Sequence, residues 1–130
     1  MDFNLNIGMK AEKTELVTEN NTAKKYGSGG VSVYATPAMI GLMEGTCLAA
    51  VDPSLPPGLA TVGTHLDVKH LAATPVGMTV RVEAELIEIA GKRLVFRVAA
   101  FDAKEKIGEG THERFIIDLA KFLQKTEAKQ

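Results

Sequence analysis

Residues 36–51 read TPAMIGLMEGTCLAAV, and this stretch decides the architecture. Thr36 stands where a helix N-cap belongs and Pro37 at the first helical position, and an almost wholly apolar run follows. Apolar residues all round predict a helix buried on most of its sides. Its length reaches only about 24 Å, and Glu44, Gly45 and Thr46 interrupt the run, so it reads as a core helix rather than a membrane span. It stops at Asp52-Pro53-Ser54-Leu55-Pro56-Pro57-Gly58, because proline lacks the N–H that would continue the ladder.

Downstream, four segments alternate with period two and are rich in Val, Ile, Thr and Phe: Thr61–His70, Thr79–Ile89, Lys92–Phe101 and Ile107–Ile117. The links Leu71–Met78, Ala90-Gly91 and Asp102–Lys106 are short, which makes a meander of neighbouring antiparallel strands the simplest topology. Upstream, Ala11–Thr18 reads as one more strand, and Gly27-Ser28-Gly29-Gly30 as a flexible flap approaching Thr36. The tail, Asp118–Gln130, reads as a short exposed helix. An antiparallel sheet of this length with one very apolar helix predicts an α+β layer in which the sheet curls around the helix.

The chain has 130 residues, 45% hydrophobic and 24% charged, which fits a single domain over residues 1–130. Fifteen basic against sixteen acidic residues leave no excess to neutralise phosphates, and aromatics are few, so no nucleic acid partner is expected. Polar Asp2, Asn4, Asn6 and Lys10 break up the start, so no signal peptide and no membrane association are expected, and the predicted location is cytoplasmic. Cys47 is the sole cysteine, in accord with a reducing compartment. With His65 and His112 it forms no zinc spacing, so no metal is expected.

Three polar residues stand out. Glu44 has Ile40, Cys47 and Leu48 one turn away, so its carboxylate sits on an apolar stripe and must be protonated, reach water or find a donor. A helix-rim glutamate reaching solvent past Gly45 is the plain alternative. On Thr61–His70 the alternation puts Val62, Thr64, Leu66, Val68 and His70 on one face, and a hydrogen bond from His70 to Glu44 would solve both burial problems. Thr36 offers a hydroxyl at the positive end of the helix, where an ordinary N-cap is the competing role. Eight residues of helix place Thr36 and Glu44 about 12 Å apart, so they cooperate only through something between them. Arg114 is read either as a solvated strand charge or as a partner for a substrate phosphate or carboxylate.

The segments Ala35–Glu44 and Thr61–Met78, with the strand Gly108–Arg114, resemble the hotdog-fold acyl-CoA thioesterases, most closely the fluoroacetyl-CoA thioesterase-like branch. The resemblance spans roughly residues 10–118. It implies about five antiparallel strands wrapped around the long helix, a homodimer or a tetramer made of two such dimers, and active sites near the subunit interface. It implies hydrolysis of a short-chain acyl-CoA thioester, with coenzyme A as part of the substrate and no separate cofactor. The family's catalytic Thr, Glu and His match Thr36, Glu44 and His70, and its carbonyl-associated glycine matches Gly63. Whether Thr36 or Glu44 is the nucleophile is open at this point. Where fluoroacetyl-specific members carry aromatic lid residues, this chain has Tyr26-Gly27-Ser28-Gly29-Gly30, which implies a general short-chain substrate. A hydratase of the same fold would need an Asp four intervening residues before His70, where His65 stands instead. A non-catalytic acyl-CoA-binding dimer, acting as sensor or carrier, is the alternative from another functional class.

Overall fold

The computed structural model describes residues 2–130. In chain order it contains β1 (Lys10–Leu16), α1 (Ala23–Tyr26), α2 (Thr36–Val51), β2 (Leu59–His70), β3 (Thr79–Ala90), β4 (Arg93–Phe101), β5 (Lys106–Asp118) and α3 (Leu119–Glu127). Helix α2 has the bounds its sequence predicts, and α3 is the expected exposed tail helix, capped by Asp118 Oδ1 on the Lys121 N–H.

All five strands are antiparallel, in the order β1-β3-β4-β5-β2. The expected full meander is therefore corrected: β3, β4 and β5 form one, but β2 pairs with β5 and not with β3. Both edges of β3 are occupied, by β1 and β4. The link after His70 crosses the end of the sheet instead of closing a hairpin. It is anchored by Leu71 N–H to the Ile107 carbonyl at 2.7 Å, Tyr34 N–H to the Thr74 carbonyl at 2.8 Å, and Thr74 Oγ1 to Asp102 Oδ2 at 2.9 Å. Link length alone does not distinguish the two routes.

Helix α2 lies chiefly over β1 and β3. Met39, Met43, Cys47 and Val51 recur every fourth residue and are fully buried, in one cluster with Val80, Val82, Leu86, Phe96 and Val98. Full burial of each large side chain contributes about 1.5–3 kcal/mol. The opposite face is not covered in the single chain: Gly41 is exposed and Leu48 is 41% exposed. Near-uniform hydrophobicity therefore marks a helix with one face in its own core and an apolar second face open.

Strand β2 is the sheet edge, and its register on β5 shifts between Gly63 and His65. The bulge reverses the parity that simple alternation predicts. Before it Thr61 and Gly63 face α2; after it the inward set is Leu66, Val68 and His70, while His65 points outward to Glu113. Val62 and Thr64 thus leave the inward face to which alternation assigns them.

Among the described residues no helix is long and apolar enough to cross a membrane.

Candidate active site

Thr36 opens α2 but is not its cap. Ala35 occupies the N-cap position, no side chain caps the first turn, and Pro37 follows. The Thr36 hydroxyl is therefore free for another partner, and Oγ1 lies 2.7 Å from Nδ1 of His70, the last residue of β2. This contact replaces the expected His70–Glu44 hydrogen bond, because the imidazole reaches the start of the helix and not its middle.

The His70 Nε2 is buried and without a hydrogen-bond partner. Burial pushes the imidazole below its usual pKa; the Ala72 main chain offsets this in part without the alignment of a hydrogen bond. A neutral imidazole with its proton on Nε2 presents Nδ1 as an acceptor to the threonine hydroxyl. Thr36 and His70 open into a cavity of about 340 Å³, whose wall also includes Ser28, Val33, Tyr34 and Ala72. The Gly27–Gly30 segment flanks this cavity through Ser28, as the flap reading expects, although Gly27 itself forms a left-handed cap on α1.

Glu44 stands two turns along α2, half-buried, over β2. A Cβ on Gly63 would fall 2.7 Å from Glu44 Oε2 and 3.0 Å from His112 Cε1. A side chain at position 63 would press on the tip of the carboxylate and on the imidazole edge, so glycine leaves both their room over β2.

Arg114 is no solvated strand charge. It is 5% exposed and turned into the fold, where Nε donates to Thr61 Oγ1 at 2.8 Å, Nη2 to the Thr61 carbonyl at 2.9 Å and Nη1 to His112 Nε2 at 3.2 Å. Thr61 in turn gives its hydroxyl proton to Asp52 Oδ1 at 2.6 Å and its N–H to Oδ2 at 3.1 Å. Glu113, the next residue back, faces out and bonds Arg93. His112, fully buried, must donate from Nδ1 to the His65 carbonyl at 2.8 Å, since a carbonyl only accepts. Its pKa is lowered by burial, with the Arg114 charge adding to the effect, so the ring is neutral and Nε2 is free to accept. The sequence reading places His112 among charged alternations and assigns it no role. Its parity with Gly108, Arg114 and Ile116 on β5 was the signal that it faces inward.

Cys47 lies within the field of both Arg114 and Glu44. Burial first, and Glu44 second, push its thiol up to about 12 against the pull of Arg114, so it is an inert core thiol. Among the described residues no cluster of three His, Cys, Asp or Glu side chains is placed to hold a metal ion.

The family model for fluoroacetyl-CoA-specific thioesterases matches residues 17–120. The fluoroacetyl-CoA thioesterase of Streptantibioticus cattleyicolor is 50% identical over 97 residues, which cover 75% of this chain and 70% of that protein. The solved structure of the fluoroacetyl-CoA thioesterase FlK aligns with a TM-score of 0.90 at 40% identity, over 97% of this chain and 98% of that one. A hot-dog-like protein from Thermanaerovibrio acidaminovorans shares the fold, with a TM-score of 0.90 at 23% identity over 99% and 97% of the two chains.

Proposed function

Because this chain belongs to the fluoroacetyl-CoA-specific thioesterase family of the hotdog fold, and so hydrolyses acyl-CoA thioesters, we propose that Thr36, activated by His70, attacks the thioester carbonyl. The observation that carries this reading is the 2.7 Å contact between Thr36 Oγ1 and His70 Nδ1 at the wall of an open cavity. His70 takes the hydroxyl proton as Oγ1 bonds to the carbonyl carbon. The uncapped first-turn N–H groups of α2 receive the developing oxyanion. The C–S bond then breaks, the departing CoA thiolate takes the proton from His70, and an acyl ester is left on Thr36. Water, deprotonated by His70, hydrolyses that ester to the free acid and restores the threonine.

Glu44 does not touch His70 within one chain, which supports the homodimer. Strand β2 has a free edge, and Leu66 beside it is 38% exposed. If a second copy pairs antiparallel along this edge, with the two-fold axis at the strand centre, Gly63 of one copy falls opposite residues 66–67 of the other. At about 3.3 Å per residue that is roughly 12 Å from His70 along the strand, against roughly 23 Å within one chain. Glu44 and Gly63 of one copy then complete the Thr36–His70 site of the other: the carboxylate orients water and balances the imidazolium, and the Gly63 N–H faces the substrate carbonyl. Arg114 supplies positive charge beneath them. The substrate is a short-chain acyl-CoA, since the Gly27–Gly30 segment contributes Ser28 and no aromatic ring to the cavity, while Tyr34 in its wall is tied to Glu15. No further cofactor enters this scheme. We place the enzyme in the cytoplasm, where acyl-CoA is available and a free thiol such as Cys47 persists.

The test is thiol release from acetyl-, fluoroacetyl-, butyryl- and hexanoyl-CoA, with rapid-quench mass spectrometry of the Thr36 peptide in Glu44→Gln. Turnover of the short esters and an acyl mass on Thr36 are expected. Full activity in Thr36→Ala would move the nucleophile to water, and saturable binding without thiol release from any ester would return the sensor or carrier reading.

A further inference from the structure

The buried imidazole of His112 has no part in the scheme above, yet its surroundings are specific. It is fully buried, all of its polar capacity is used, and its Cε1 edge lies within 3.0 Å of the same point over Gly63 that Glu44 Oε2 approaches to 2.7 Å. The carbonyl it holds belongs to His65, the residue at which the β2 register resumes after the bulge. On its other side Arg114 Nη1 fixes the ring plane, and Arg114 is itself held by Thr61, which is held by Asp52 at the end of α2.

We propose that His112 is a positioning residue for the thioesterase site: through the His65 carbonyl it sets the bulge that aims the Gly63 backbone, and its ring edge converges with the Glu44 carboxylate on the same point over Gly63. Both contacts act on residues that the proposed function places against the substrate, so the inference rests on that reading. A buried polar ring is costly to retain unless its partners are met. A leucine would fill the same volume without needing them. What leucine does not supply is a directed donor to one carbonyl at an edge-strand bulge, and a bulge is where a strand re-aims its backbone.

The two hydrogen bonds can be separated by half-isosteres. Asparagine places its Nδ2 near the position of the histidine Nδ1 and keeps the donor to the His65 carbonyl; glutamine keeps an acceptor near Nε2 for Arg114 and loses that donor. In the full-length protein, with acetyl-CoA as substrate and the oligomeric state matched to wild type by sedimentation, His112→Leu is expected to lower kcat at least tenfold with KM changed less than threefold. His112→Asn is expected to recover most of kcat, and His112→Gln is not. Wild-type kcat in His112→Leu would overturn the proposal. So would equal kcat in the Asn and Gln variants, which also decides the matter if the Leu variant does not fold. The Thr36→Ala and His70→Ala variants report on the proposed function separately: their inactivation beside an unaffected His112 series would leave that reading standing and remove this one.

Discussion

Strand β2 carries two polar clusters that obey opposite rules. At its end, His70 meets one hydroxyl, keeps a buried Nε2 without a partner and faces an open cavity. At its middle, buried Thr61, Arg114 and His112 bond one another and the His65 carbonyl, with half-buried Asp52 holding Thr61 from the end of α2. The closed cluster accounts for its polar atoms as a core must. The open pair leaves capacity unused, and unused capacity beside a cavity is what a substrate or a transferred proton can take up. On the proposed mechanism the histidine left incompletely satisfied is the one that reacts, and on the further inference the fully satisfied one holds geometry.

This contrast can be broken most sharply by His70→Ala. Losing a positioned general base should cost about 10²–10⁴-fold in kcat/KM. The midpoint of urea denaturation should move little, because the lost ring had an unmet Nε2; a large loss of stability with modest loss of rate would reverse the assignment. Arg114→Met should behave in the opposite sense on stability. It strands the Thr61 carbonyl and His112 Nε2, and about 2–4 kcal/mol of unfolding free energy should be lost in urea titrations. An unchanged midpoint would show that the closed cluster is not structural.

The pH profile sharpens the comparison further. Protonated His70 cannot accept from Thr36, so kcat/KM should fall as pH falls, with a midpoint below the ordinary histidine value of about 6.5 because burial disfavours the charged ring. A midpoint above that value would mean that the Glu44 carboxylate which the proposed dimer brings to the site outweighs the burial that acts on His70 within one chain. Stability should follow the same sign. His70 and His112 both have lowered values in the fold, so the unfolded chain binds more protons once pH drops below about 6.5, and stability decreases from there towards the folded-state values. The smallest effect is expected for His65→Ala. Its side chain is 56% exposed and lies 3.6 Å from Glu113, while the carbonyl used by His112 is main chain; thermal melts should register less than about 0.5 kcal/mol.

Much of the fold is legible in the chain itself, for local reasons. Proline near both ends of residues 36–51 bounds α2, and period-two runs mark β2 to β5, with Ala11–Thr18 for β1, all to within two residues. Thr36, Glu44 and His70 stood out because each is a polar group on an apolar pattern. His112 is the residue the pattern hides: on β5 the charges of Glu109 and Glu113 mask the inward parity it shares with Gly108, Gly110, Arg114 and Ile116.

The elements, their bounds and the polar side chains that are out of place follow from propensity and periodicity within a few residues of each position, so the chain records them locally. That β2 crosses to β5, that a bulge after Gly63 changes the parity of β2, and that His70 meets Thr36 while Glu44 comes over Gly63 are settled by the folded chain. These are long-range pairings. A one-residue shift in register turns every side chain beyond it to the other face, and no local pattern in the chain records where that shift occurs.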